Sequence, residues 1–394
     1  MSIRRPSALL VVSGQAGEYF ARLNALEGSR SLLVGVIPLL ALELLGSKEM
    51  VTKAYLFGSI LTLAITLNFA LIERLIQRRW VVTLGIALNL TAIALLYFGN
   101  SKTLPIAIGL QQASSSLFSV CLSLYIMDYI GKKDLIFSET RRMFYTGGVW
   151  LVGPTLGLWL WDKVGPWSPL TAAAFSGLLL LGYFWYLRLT PNNAIQKAKN
   201  PSVNIFKIIP RYFAQKSMRI AYAITLSRAI FWVSLFVYGP IYVVEANLPT
   251  WVAGSLLSMA SALLLISPVI QRLAGHFGTR TMLIYALVLS GTSIFMLFLL
   301  GAPRPIGLAF WLIAAVGGVT TDVLGNIPFM RMVKPRERTE MTMIFSTWRE
   351  GSQLLTPLLV SLILLFFSFE AYYVLLAILL FAAAYTASFL PRRL

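Results

Sequence analysis

Histidine and cysteine are nearly missing from this chain, which has one of each, His276 and Cys121. A single cysteine excludes a disulfide framework and a cysteine-based metal site, and a single histidine leaves no cluster for zinc or iron. Charge is scarce too. Charged residues make up 12% of the sequence, against roughly 25% in a soluble globular protein. Acids are the scarcer sign, 15 Asp and Glu against 33 Lys and Arg, for a net charge of +18. That excess does not imply nucleic acid, because the basic residues lie in short segments between apolar stretches and form no soluble basic domain. P-loop patterns are lacking, so ATP-driven pumping has no support. The early "ALLVV" is too short for a signal-peptide core and reads as an interfacial lead-in to the first span.

What is abundant is apolar length. The chain is 58% hydrophobic with a mean hydropathy of +0.76. A bilayer core takes about 20 apolar residues per helix, and twelve candidate spans emerge. They cover residues 22–46, 51–73, 80–99, 104–128, 139–162, 168–189, 219–244, 250–273, 281–300, 305–331, 340–366 and 370–390. The expected fold is an all-α membrane protein, a bacterial inner-membrane chain passing the bilayer repeatedly. Of the 33 Lys and Arg residues, 25 fall in the termini and the loops after even-numbered spans, and 5 on the other side. Positive charge stays inside, so both termini are expected in the cytoplasm.

The remaining three, Arg30, Arg228 and Arg349, fall inside spans. Ser29-Arg30 and Ser227-Arg228 stand 198 residues apart in a chain of 394, so the two halves look like repeats. After span 2 comes "FALIERLIQRR" and after span 8 "QRLAGHFGTR"; span 5 carries "GVWLVGP" and span 11 "GSQLLTP", the latter pair offset by 203. Two parallel six-helix halves, 1–189 and 219–394, joined by a basic linker at 190–218, form a known transporter plan.

On these residues the chain resembles the major facilitator superfamily. That family's loop signature, G-x-L-A-D-R-x-G-R-R, is matched by Leu71, Glu73, Arg74 and Arg78, with Phe69 and Ile76 in place of its glycines. The second copy keeps Leu273, Ala274, Gly278 and Arg280 and has Gly275 for the acid. The family's span-5 antiporter motif is reduced to "GPTLG" at 153–157, which also reads as a Pro/Gly kink. The resemblance implies a monomeric secondary transporter, with every third helix peripheral. Spans 3, 6, 9 and 12 have no interior ionisable residues. It implies gating by Glu73, Arg74, Arg78 and Asp128 near one membrane face, with Arg280 in the second copy.

Ionisable residues in a membrane interior face a cavity or a partner. Here they are Glu27, Arg30, Arg228, Asp322, Arg349 and Glu350. Arg30 and Arg228, at matching depth, are expected to face each other and bind a carboxylate or phosphate of the substrate. This is similar to the organophosphate/phosphate antiporters, which use one arginine on helix 1 and one on helix 7. The competing reading is structural: Arg30 pairs with Glu27 one turn away, and Arg349 is held by Asp322 or another acid. Gln112, with Ser115, Ser116, Ser119 and Ser123, makes a polar face on span 4 that suits either a cavity or close packing. Trp232 and Asn326 are further candidates for substrate contact. Glu27, Asp322 and Glu350 are the carboxylates able to carry a coupling proton; anion exchange is the alternative. The R-x-x-Q-G motif of proton-linked drug exporters is absent, since Gly109 stands where its arginine would be. A membrane-embedded enzyme would want a His/Asp dyad, a metal cluster or a large extramembrane domain. The expected partners are therefore a small-molecule substrate, protons or a counter-anion, and lipid. No cofactor, metal or catalytic residue is expected.

Overall fold

The computed structural model describes residues 16–68, 75–129, 135–187, 205–333 and 338–391. The chain forms two compact units, Met1–Lys199 and Asn200–Leu394. Among the described residues the regular elements are helices only, and nine stretches are long and apolar enough to cross a membrane.

In the first unit, span 1 is a series of short helices. α1 (Ala16–Gly28) ends before Ser29-Arg30, α2 (Ser31–Val34) follows, and α3 (Val36–Leu45) completes the span. The interruption is built from tighter i→i−3 bonds: Arg30 N–H donates to Glu27 O at 3.2 Å and Leu32 N–H to Ser29 O at 3.0 Å. Then come α4 (Lys48–Leu67), α5 (Arg78–Phe98), α6 (Leu104–Tyr129), α7 (Leu135–Lys163) and α8 (Ser168–Leu187). Glycines let these helices approach closely. A Cβ on Gly109 of α6 would stand 2.8 Å from Gly58 O of α4, and one on Gly153 of α7 would collide with the Ser31 side chain. With no hydrophobic drive between helices in lipid, such small-residue contacts hold a bundle by packing. The "GPTLG" stretch is thus a contact between spans 5 and 1.

The second unit begins with α9 (Ile205–Ala214), inside the stretch read as linker. It buries Ile208 and Tyr212 in a cluster with Phe329, Val333, Met341, Ile344 and Phe345. α10 (Lys216–Glu245) runs unbroken through Arg228. α11 (Thr250–Ala262) and α12 (Ser267–Phe277) share span 8 across a 3₁₀ turn, and α13 (Thr279–Leu300) is span 9. Span 10 divides into α14 (Gly307–Leu324) and α15 (Ile327–Met332) around Gly325-Asn326. Pro328 lacks the N–H that would continue the ladder to Leu324 O. Span 11 divides at Thr347 into α16 (Arg338–Ser346) and α17 (Trp348–Leu364), and α18 (Glu370–Ala387) is span 12.

Burial follows the family plan in part, since span 8, with 44% of its window buried, matches spans 9 and 12. The apolar windows of spans 3, 6, 9 and 12 are 39%, 33%, 44% and 44% buried, while those of spans 1, 4, 7 and 10 are 56%, 56%, 67% and 56%. Helices that keep most of their surface for lipid can be apolar all round, which is why they carry no interior charge.

Candidate functional site

Each unit seats an arginine on a tryptophan and closes it with a carboxylate. In the first unit Arg30 sits in the break between α1 and α2. Its Nε lies 2.8 Å from Glu27 Oε1, and its guanidinium lies over the Trp150 ring of α7, 5.4 Å from the centroid. Ser115 of α6 donates to the same Glu27 oxygen at 2.9 Å. Behind the pair is a small cavity of about 20 Å³ that includes Asn89, Gln111, Ser114 and Ser115 in its lining. That is room for about one water molecule, in a lining polar enough to hold it.

In the second unit Arg228 lies 3.2 Å from Asp322 Oδ1, and its Nη1 donates to Thr321 O at 3.3 Å. Its guanidinium lies over the Trp348 ring, 5.0 Å from the centroid. Arg349 lies near the same ring at 5.6 Å. Trp232 Nε1 faces Asp322 but is buried short of an aligned hydrogen bond, and Asn326 Oδ1 is also buried and unsatisfied.

Two features were not seen in the sequence. Trp150 and Trp348 are themselves 198 residues apart, the spacing of Arg30 and Arg228, so the seat is duplicated whole. Gly153 and Gly351 share that spacing, which makes 198, and not 203, the register of spans 5 and 11. A search for further residue pairs at the arginine spacing would have found both tryptophans.

The expected site residues divide. Arg30 and Glu27 do pair, and Asp322 goes to Arg228, leaving Arg349 with no acid among the described residues. Gln112 turns toward α4, where Thr62 Oγ1 lies 3.4 Å from its Oε1 and also bonds Gly58 O and Gly109 O. The polar face of span 4 therefore splits between helix packing at Gln112 and the charged seat at Ser115. Glu350 is partly buried. Of the gating residues, Glu73 and Arg74 lie outside the described residues, as does the side chain of Asp128. Arg78 lies over the Tyr125 ring at 5.4 Å, and Arg280 is in the first turn of α13.

Apolar helices long enough to cross a bilayer, in two compact units, define a multi-pass membrane protein. The family model of the Major Facilitator Superfamily matches residues 26–349, and the chain belongs to that family. No curated protein sequence matches it. Among solved structures it is similar to the nucleoside transporter NupG, at 11% identity and a TM-score of 0.73, covering 96% of this chain and 98% of that one. It is also similar to a bacterial homologue of the iron transporter ferroportin in an inward-facing state, at 19% identity and a TM-score of 0.65, covering 96% and 97%. A third is a bacterial metal transporter, at 16% identity and a TM-score of 0.65, covering 97% and 100%. At such identities these likenesses show the fold.

Proposed function

We propose that this protein is a secondary active transporter that moves a small anionic or zwitterionic solute by alternating access. The observation that carries the charge assignment is the Arg30 seat. A guanidinium at a helix break, stacked on Trp150 and held from one side by Glu27, keeps 32% of its side chain exposed. A guanidinium within a span is costly unless it faces water, a partner or a ligand, and its planar fork matches carboxylate or phosphate. The distribution of basic residues supports a cytoplasmic location for both termini.

A second reading is a proton-coupled exporter of drug-like or amphipathic compounds. It is favoured by the closure of both charge pairs, Glu27–Arg30 and Arg228–Asp322, within their own units. Glu350 then becomes the carrier of the proton, because among the described residues it has no ion pair.

Reconstitution in proteoliposomes separates the two. Under the first reading, preloaded anions exchange with external ones, Arg30→Gln abolishes exchange, and Glu350→Gln spares it. Uptake of an amphipathic cation driven by a pH gradient and lost in Glu350→Gln, with no anion exchange, would overturn the first reading in favour of the second.

A further inference from the structure

The second unit has a closed arginine and an open one. Arg228 is only 4% exposed, paired with Asp322, bonded to Thr321 O and covered by the Trp348 ring. At that burial a ligand has little access to its guanidinium, although the buried Nε lacks an aligned hydrogen bond. Arg349 is exposed, makes no ion pair among the described residues, and rests near the same indole at 5.6 Å. Glu350 is its chain neighbour, but successive helical residues project about 100° apart, and no ion pair joins them among the described residues.

Depth makes this exposure informative. At 1.5 Å per residue, Arg349 lies about 16 Å along its helical path from Arg338, and Arg228 about 18 Å along α10 from Lys216. Each of these lengths is about half the thickness of a hydrocarbon core of about 30 Å. An unpaired guanidinium there is not left to lipid; it faces a water-filled space or an anion. The ring that Arg228 holds in place thus presents a second guanidinium with its charge uncompensated.

We propose that Arg349, seated on Trp348, is the residue of the second unit that binds a carboxylate or phosphate group of the solute. Arg228 is a positioning residue that, with Asp322, fixes the tryptophan. This rests on the reading of the protein as a transporter of anionic solutes and moves the second anion contact from Arg228 to Arg349.

The test is thermal unfolding of the purified full chain in detergent, at constant ionic strength, with chloride replaced stepwise by inorganic phosphate, succinate or glycerol 3-phosphate. A ligand that binds the folded chain raises Tm as its concentration passes Kd. The native chain should gain Tm with at least one of the three. Arg349→Gln should lose the gain. Arg349→Lys should need roughly ten times more anion, because a point charge replaces a bidentate fork. Arg228→Lys should lower the starting Tm but keep the gain, and Arg211→Gln, outside the site, should behave as native. A gain kept in Arg349→Gln overturns the inference, and if that gain is lost in Arg30→Gln the transporter reading stands. No gain with any anion also overturns it, and counterflow of an uncharged solute by the same preparation would show transport surviving without it.

Discussion

The two arginine–tryptophan seats share a spacing and differ in how the charge is neutralised. In the first unit the acid is Glu27, one turn before Arg30 on the same span, and the arginine is the more exposed member, 32% against 16%. In the second unit the acid is Asp322, from another helix, and the order reverses, 4% for Arg228 against 30%. The position of Glu27 is taken by Thr225 in the second unit, buried and bonded to its own helix at Ala221 O. A local pair sits in a helix break, where side chain and backbone can shift together. A pair between helices ties α10 to α14 and leaves its arginine inside the packing. The same duplicated element has therefore become an accessible cation in one unit and a structural clamp in the other.

The most severe way to break this comparison is to remove the acids. Asp322→Ala leaves the buried Arg228 guanidinium without its carboxylate, which costs about 3–5 kcal/mol. Glu27→Ala frees a partly exposed arginine, and about 1 kcal/mol is expected. Denaturation of both variants in detergent should rank them in that order; equal losses would show that the two pairs play the same role.

The glycines sharpen it at the next level. Gly153→Ala drives a methyl group into Ser31, an overpacking of about 1–3 kcal/mol. Its counterpart Gly351 has only the Tyr222 hydroxyl at 3.6 Å and Leu226 at 3.7 Å nearby. Gly351→Ala should therefore be neutral or gain up to about 1 kcal/mol in helix propensity. Thermal unfolding of the pair reads the difference, and a destabilised Gly351→Ala would refute the looser contact in the second unit.

The smallest contrast between the units is at the rings. Trp348→Leu removes the cover of a buried guanidinium, a cation–π contribution of about 2 kcal/mol, whereas Trp150→Leu exposes a guanidinium already part-solvated, about 0.5–1 kcal/mol. Stability of each variant with and without its own arginine replaced by Gln isolates the pairwise energy, and the coupling should be the larger in the second unit.

By itself the sequence determined the solvent and the plan. Long apolar runs demand lipid, and the repeated Ser-Arg pair points to two related halves, because each of these is a property of local composition or of spacing along the chain. The interior ionisable residues were legible for the same reason: Arg, Glu and Asp within a span stand out against leucine and valine. Pairing was not. Whether Asp322 meets Arg228 or Arg349 depends on which faces of α10, α14 and α17 meet, and on the breaks at Gly325-Asn326 and Thr347 that rotate those faces. Gln112 suited either a cavity or close packing in the sequence, and the Gly58–Gly109 contact sets it beside Thr62. A carboxylate at a given depth is equally compatible with several arginines in one dimension, and only packing at the scale of a few ångströms chooses among them.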